Sequence, residues 1–480
     1  GYIETDNIDT TLQFLSREKS RSKIYFTFNL RFDAQAIIKQ LPVELWKPLW
    51  EDNECRYEDY NIFYIPKKLL SISKLRDKHQ TKLYDIAQFY KGYNLDKAAK
   101  EFLGNDGKNK DISAELIGES RKYYDDNLEK IIQYSIKDAE LTKALGLLTK
   151  EKFESFKFDD DSIKVDFSNP LSPASLSGYF VNENYQYPLS PEKLGIGRLH
   201  DIARKSFRGG FFQTFMRGYF DQELFDYDIQ SAYPSNMIKL PHWGNGAFVM
   251  VNDYDELDSD FGWILSEFNC EYIPYNTQEP FIFTPDDMIK KDEIMIAKNT
   301  RIIYPSGKRK QVITKLDFDW MRKRGFNPKF LGGVYWIQHS EKYISPFAWM
   351  KEFYNERMRI KKLDFPLQWS MKIFMNGLYG KTAQYRHGIG KLTNFFYASY
   401  ITDMTRIQVA EIVFNNKKDI VNVATDGLLS LKPLDVELGT ALGTWEKKEY
   451  EKGLVVGNGI LQLWNKDGTY KTKARGITEN

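Results

Sequence analysis

Three residues late in the chain, Thr425-Asp426-Gly427, sit between two short β-forming runs at residues 420–424 and 428–431. This is the pattern of a tight hairpin with a carboxylate at its tip. A second carboxylate, Asp228, closes the apolar strand candidate Leu224–Ile229, and a turn or helix start follows at residues 231–234. An acidic residue at a strand end is ordinarily a solvated turn or a helix cap, so either one alone says little. Between them, residues 347–362 have the spacing of an amphipathic helix, Asp364-Phe365-Pro366 breaks it, and residues 367–378 resume it. The spacing predicts two helices joined by a tight turn.

The first 150 residues read as one α/β unit. Residues 24–28 are a strand candidate and 34–41 a helix, and helical periodicity returns at Leu95–Leu103 and over residues 128–148. Residues 168–191 are rich in Ser, Pro, Asn and Tyr and read as a connection between domains, not a packed element. No internal repeat or low-complexity tract interrupts the pattern. The 480 residues leave room for several domains, and a hydrophobic fraction of 42% is that of a globular chain. A formal net charge of only +2 means that any nucleic-acid partner must be met by local basic surfaces.

Cys55 and Cys270 lie far apart and outside CxxC spacing, which excludes a disulfide framework and fits a reducing, intracellular setting. No apolar run is long enough to span a bilayer and no signal-peptide pattern opens the chain, so a soluble protein with no membrane partner is expected. The chain starts at Gly1 and stops at Asn480 without a helical closing pattern, and either end is read as open to further native sequence.

The two carboxylates gain meaning from the cations between them. Phosphoryl transfer from a nucleoside triphosphate needs magnesium ions held by carboxylates, and cations that neutralise the phosphates. Arg357 and Lys361 are four residues apart on one predicted helix, and Lys372 and Asn376 repeat that spacing on the next. Two such helices facing one another offer a cationic cradle. A lone pair of this kind is ordinarily a solvated helix face, and it is the ordered set of three segments that favours a site.

Those segments are Asp228-Ile229-Gln230-Ser231-Ala232-Tyr233-Pro234-Ser235, then Lys372-Ile373-Phe374-Met375-Asn376-Gly377-Leu378-Tyr379-Gly380, then Thr425-Asp426. In order and spacing they resemble the polymerase motifs of family B DNA polymerases, and most of all the smaller, protein-primed-like enzymes of phages, viruses and linear plasmids. The resemblance covers nearly the whole chain. It implies an α/β and α+β multidomain fold, an RNase H-like exonuclease domain followed by a right-hand polymerase with palm, short two-helix fingers and a thumb that is partial or missing. The implied domains are exonuclease-like at 1–150, a connecting region at 151–205, palm with an insertion at 206–345, fingers at 346–390, palm with the hairpin motif at 391–450, and palm end with the start of the thumb at 451–480.

Residue by residue, Asp228 and Asp426 resemble the carboxylates that bind two Mg2+ ions, for which Mn2+ can substitute, with Lys372 also placed in the catalytic set. Tyr233 resembles the aromatic plate that leaves no room for a ribose hydroxyl. Arg357, Lys361 and Lys372 resemble triphosphate ligands, and Asn376 and Tyr379 line the nascent base pair. Phe207-Arg208-Gly209-Gly210-Phe211 resembles the glycine motif that binds template, which makes Arg208, Gly209 and Gly210 DNA contacts. The implied partners are primer-template DNA, deoxynucleoside triphosphates, and a terminal protein or other replication factors. The family's usual Leu, Ser and first acidic residue are replaced by Ala232, Gly377 and Ala424, with small losses of packing expected at Ala232 and Gly377. The usual primer-gripping Lys and Tyr are absent near Gly457-Asn458-Gly459, and Lys471, Lys473 or Arg475 stand in, Lys473 being the DNA contact chosen.

In the N-terminal part Asn29-Leu30-Arg31-Phe32-Asp33 and Tyr134-Ser135-Ile136-Lys137-Asp138 resemble the second and third exonuclease motifs. This makes Asn29, Asp33, Tyr134 and Asp138 exonuclease residues and Asp33 and Asp138 metal ligands. Gly1-Tyr2-Ile3-Glu4-Thr5 is a poor match to the first motif, which is expected upstream. Two alternatives stand beside the DNA polymerase. One is a primer-making or RNA-copying polymerase, which Tyr233 argues against. The other is a non-catalytic nucleic-acid-binding relative, which the joint presence of Asp228, Asp426, Lys372 and Asn376 argues against.

Overall fold

The computed structural model describes residues 7–17, 24–75, 80–104, 121–158, 160, 162–270, 307–385 and 390–474. The segment Gly1–Thr5 and Arg475 lie outside them. The chain forms two units, Gly1–Phe180 with Glu356–Leu378, and Val181–Asn355 with Tyr379–Asn480.

The first unit begins with α1 (Ile8–Ser16), β1 (Ile24–Thr27), α2 (Arg31–Ile38) and α3 (Trp46–Glu51), followed by the meander β2 (Glu54–Tyr57), β3 (Tyr60–Ile65), β4 (Leu69–Lys74) and β5 (Gln80–Asp85). The sheet order is β1-β5-β4-β3-β2. Only β1 and β5 run parallel, with Thr27 opposite Asp85. Leu12, Leu30, Ala34, Ile62 and Leu70 are buried together beneath it. Helix α4 (Leu95–Leu103) has the ends that its sequence dictates: the Asn94 side chain accepts from the Lys97 N–H at 2.9 Å, and Gly104 closes it in the left-handed conformation.

After α5 (Arg121–Asp126), α6 (Leu128–Glu154) runs for 27 residues. It rests on β1 at Gly146, where a Cβ would stand 2.2 Å from the Phe26 ring, so a side chain there would lift the helix off the strand. The end of α6 enters an aromatic cluster in which Phe153 lies 5.6 Å from Phe89 and 5.7 Å from Phe374. Trp369 donates to the Phe89 carbonyl at 3.0 Å and Lys152 meets Asp364 at 2.8 Å, which ties residues 356–378 into this unit. Residues 168–191 are not the loose connection that their composition predicts, because they contain α7 (Pro173–Asn184), in which Leu176, Phe180 and Val181 are buried. Its apolar face overrides the turn-forming composition around it.

The second unit carries α8 (Gly197–Ser206), β6 (Phe211–Thr214), β7 (Gly218–Phe220), β8 (Leu224–Ile229), α9 (Ala232–Met237), β9 (Gly246–Val251), β10 (Phe261–Cys270), β11 (Gly307–Thr314), α10 (Lys315–Lys323) and β12 (Lys329–Gln338). In chain order come α11 (Trp349–Ile360) and α12 (Phe365–Thr382), whose Glu356–Leu378 part belongs to the first unit, and then, back in the second, α13 (Phe395–Asn415), β13 (Ile420–Thr425), β14 (Gly427–Ser430), β15 (Trp445–Tyr450), β16 (Lys452–Gly457), β17 (Ile460–Trp464) and β18 (Tyr470–Ala474). Three sheets result, in the orders β15-β8-β14-β13-β6, β11-β10-β12-β9 and β18-β17-β16-β7.

Helix α13 has no polar face, and residues on every side of it are buried, from Phe395 to Val413. A helix apolar all round belongs inside. Its Val409, Ala410 and Val413 share a core with Phe225, Tyr227 and Ile229 of β8. Two of its polar side chains bond to neighbouring elements, Ser399 accepting from the Trp263 indole at 2.9 Å and Arg406 gripping Asp317 with contacts of 2.7 and 2.8 Å. No helix among the described residues is long and apolar enough to cross a membrane.

The start of α13 is held by His200 of α8, whose Nε2 accepts from the Phe395 N–H at 2.8 Å. Burial lowers the His200 pKa from 6.5 to about 4 against the pull of Asp201. The unfolded chain therefore binds the extra proton between pH 6.5 and 4, and stability rises with pH across that window. Acidification from pH 7 to pH 4 is expected to cost up to about 3 kcal/mol through this residue. Denaturant unfolding at several pH values checks it, and His200→Gln, which cannot titrate, should remove that part of the slope.

Candidate active site

Asp228 lies near the end of β8, and its side chain shares a face with that of Asp226 because strand residues alternate. β14 pairs with β8 so that Gly427 is directly opposite Asp228. Asp426, at the tip of the β13–β14 hairpin, is thereby the next residue along, and its carbonyl accepts from the Ile229 N–H at 3.0 Å. The two carboxylates predicted from sequence are brought together by backbone register. Gly427 keeps the gap open, since a Cβ there would come 3.2 Å from the Asp228 Oδ1.

The Asp228 side chain is accessible from solvent, yet the surrounding protein withdraws enough water to raise its pKa from 3.8 to about 7. Repulsion from Asp426 adds to the rise, and Lys473 and Lys471 oppose it. A carboxylate whose proton affinity is raised by a neighbouring carboxylate marks a place where a cation is stabilised. Among the described residues no three acidic, histidine or cysteine side chains gather as a ready ligand set. Two carboxylates suit Mg2+, which keeps water and substrate phosphate in its remaining positions.

Lys471 and Lys473 reach this cluster from β18. Lys471 Nζ is 2.7 Å from Asp226 and Lys473 Nζ 3.9 Å. Burial alone would lower the Lys471 pKa, but its bond to Asp226 outweighs this and the pKa is raised. Asp226 escaped the sequence reading as a site residue, although its alternation with Asp228 was the available signal.

Beyond β8 the chain turns at Ser231, in the left-handed region at φ 51°, and starts α9. Tyr233 then meets Tyr379 of α12, with ring centroids 4.3 Å apart. The Tyr379 hydroxyl is pushed far up by burial and by Tyr233. These two predicted nucleotide-pocket residues therefore form one aromatic surface.

The predicted cations divide. In the first unit Lys372 and Asn376 are exposed one turn apart on α12, with Lys372 Nζ 5.9 Å from the centroid of the Trp369 ring. Lys361 is exposed, but α11 ends at Ile360, so Lys361 lies in the turn beyond and does not continue the helical face assumed for it with Arg357. Arg357 is buried. Arg208, read as a template contact, is also buried: its guanidinium donates to the carbonyls of Ser206 and Val312 at 2.7 and 2.9 Å and lies 3.9 Å from Asp317. This corrects the expectation, because a guanidinium enclosed by protein carbonyls and a carboxylate braces the fold and does not face a nucleic acid.

Of the residues expected in the exonuclease motifs, Asn29 adopts φ 69° two residues beyond the end of β1, and its N–H and that of Leu30 donate to Asp85 at 2.9 and 3.1 Å. Asp85 is buried at the end of β5 and pushed up by burial, against three backbone N–H donors. Asp33 is accessible, but its crowded surroundings and then the Asp85 charge raise its pKa to about 6. Tyr134 and Asp138 are half-buried, one turn apart on α6. Sequence reasoning passed over Asp85, which becomes visible only when β5 pairs with β1.

The fold has known counterparts. Phi29 DNA polymerase, in a ternary complex with primer-template DNA and incoming nucleotide substrates, matches 98% of this chain and 86% of its own at a TM-score of 0.67 and 15% identity. Its orthorhombic crystal form gives 0.68, and its complex with single-stranded DNA 0.63 at 14% identity. The fold is that of a family B DNA polymerase. The DNA polymerase of Acidianus bottle-shaped virus (isolate Italy/Pozzuoli) is 24% identical over 346 residues, 69% of this chain and 47% of the viral protein, so the chain spans about half the length of that relative. A family model of DNA polymerase type B, organellar and viral, matches residues 15–390, and the chain belongs to that family.

Gly377, where a Ser is usual in such motifs, is not the loss of packing expected for it. A Cβ there would stand 2.8 Å from the backbone N and Cα of Ala174 on α7. Gly377→Ser is expected to destabilise the protein by about 1–3 kcal/mol through this overpacking, more than the roughly 0.5 kcal/mol that helix propensity returns. Chemical denaturation of the pair of proteins measures it.

Proposed function

We propose that the chain is a template-directed DNA polymerase that transfers deoxynucleotides to a primer 3′ end by two-metal phosphoryl transfer. The observation that carries the reading is the β8–β14 register, which sets Asp228 beside Asp426. In this reading residues 206–345 and 391–450 are palm, 346–390 fingers, and 451–480 the palm end and start of the thumb. Residues 1–150 are exonuclease-like, joined to the palm by 151–205.

Asp228 and Asp426 would hold two Mg2+ ions, or Mn2+ in their place, and these would supply charge neutralisation and activate the primer hydroxyl. The chain's own groups do the rest. Lys361, Lys372 and Asn376 bind and orient the triphosphate end and base of the incoming nucleotide, and the buried Arg357 supports them. Tyr233, in contact with the Tyr379 ring, fills the space beside the second sugar carbon and excludes ribonucleotides. Lys473 and Lys471 compensate the acidic cluster, and Lys473, with Gly209 and Gly210, meets primer-template DNA. Asn29, Asp33, Tyr134 and Asp138 belong to an exonuclease fold, with Asp33 and Asp138 as its metal ligands and Asp85 bracing the turn at Asn29. Terminal protein or other replication factors complete the set of partners.

In primer extension with magnesium and four deoxynucleotides, Asp228→Asn and Asp426→Asn are each expected to drop below about a hundredth of the parent rate, since each loses a metal ligand. DNA affinity measured by gel shift should hold within about threefold, because no phosphate contact is removed. Near-parental extension by either variant would overturn the polymerase reading. Tyr233→Ala should relax sugar discrimination by about tenfold or more, equivalent to about 1.4 kcal/mol of transition-state binding. Competition between ribo- and deoxynucleotides reads this out, and unchanged discrimination would place the sugar plate elsewhere.

A further inference from the structure

Asp426 follows Thr425, a β-branched residue held at φ 66°, where such side chains are rarely found. Something must hold it there. β13 pairs with β6 so that Thr425 is opposite Phe211, and Gly210 comes immediately before that strand. A Cβ on Gly210 would stand 2.6 Å from Thr425 Cγ2, 2.9 Å from its Oγ1 and 3.1 Å from its Cβ. The neighbouring Gly209 has nothing within 4 Å of such an atom. Of the two glycines, one is required by close approach and the other is not.

The segment carrying Gly210 is itself pinned. Arg208 spans from the Ser206 carbonyl to the Val312 carbonyl of β11, and it lies beside Asp317 of α10. Asp317 accepts two bonds from Arg406 of α13, which also meets Asp403 at 2.7 Å, and Thr314 closes the group on Asp403 at 2.7 Å. All of these side chains are buried.

We propose that Gly210 is a positioning residue for the catalytic hairpin, seating Thr425 in its left-handed conformation so that the Asp426 carboxylate is aimed at the metal position beside Asp228. The buried Arg208 cluster supplies the fixed wall behind it. The inference rests on the reading of Asp426 as a metal ligand and adds to it a cause for its orientation.

The test is a cycle of Gly210→Ala, Thr425→Gly and the double variant. Mn2+ binding is followed by electron paramagnetic resonance, and primer extension is titrated with Mg2+. Gly210→Ala is expected to weaken Mn2+ binding and raise the half-saturating Mg2+ concentration by about tenfold or more, a loss of the kind seen when groups orienting a metal ligand are removed. Primer-template affinity is measured in parallel, and a loss confined to DNA binding, with Mn2+ binding intact, would overturn the inference. Thr425→Gly removes the three atoms nearest to the new methyl, so the double variant should return to the Mn2+ affinity of Thr425→Gly alone. An unchanged metal requirement in Gly210→Ala, or a double variant no better than Gly210→Ala, overturns the inference, as does failure of both to fold. A parent protein that neither binds Mn2+ nor extends primers would instead overturn the polymerase reading itself.

Discussion

The site depends on one backbone register. β14 lies against β8 with Gly427 opposite Asp228, and the Asp426 carbonyl takes the Ile229 N–H. A slip of one residue would turn Asp228 and Asp226 into the core and bring Tyr227 and Ile229 out, and burying two carboxylates while exposing two core side chains is far costlier than any local gain. The pairing is therefore specified by the apolar face of β8, which packs on α13, and the acidic face opposite is positioned as a consequence.

That acidic face is kept by compensation, not by burial alone. Asp226 is answered by Lys471, and Lys473 stands near both carboxylates of β8. Asp228 keeps a raised pKa in spite of them, because the surrounding protein withholds water from it and, to a lesser degree, Asp426 repels its charge. Farther inside, Arg208, Asp317, Arg406 and Asp403 are linked by ion pairs. Such a group adds little net stability over apolar packing, but leaving any single member without its partner costs several kcal/mol, so it fixes the geometry of its surroundings.

Close backbone approach explains residues that composition treats as defects. Gly146 lets α6 rest on Phe26, Gly377 lets α12 rest on α7, and Gly427 leaves room for the Asp228 carboxylate. In each case the missing side chain is occupied by another part of the fold. A substitution toward the commoner residue of a motif is then a steric insertion, whatever its local propensity.

Local patterning was enough to determine much of this chain. The strand Leu224–Ile229, the helix Leu95–Leu103 and the acidic hairpin tip at Asp426 were legible because alternation, capping residues and turn chemistry are properties of neighbours in sequence. The order of the motifs carried the family. The tertiary structure alone decided what each charge faces. Arg208 and Arg357 look like surface cations in sequence and are buried, α7 hides in a turn-rich stretch, and Asp85 acquires a role only where β5 meets β1. Burial and charge pairing depend on residues far apart in the chain, and their sum at any side chain is fixed only once the sheets have closed.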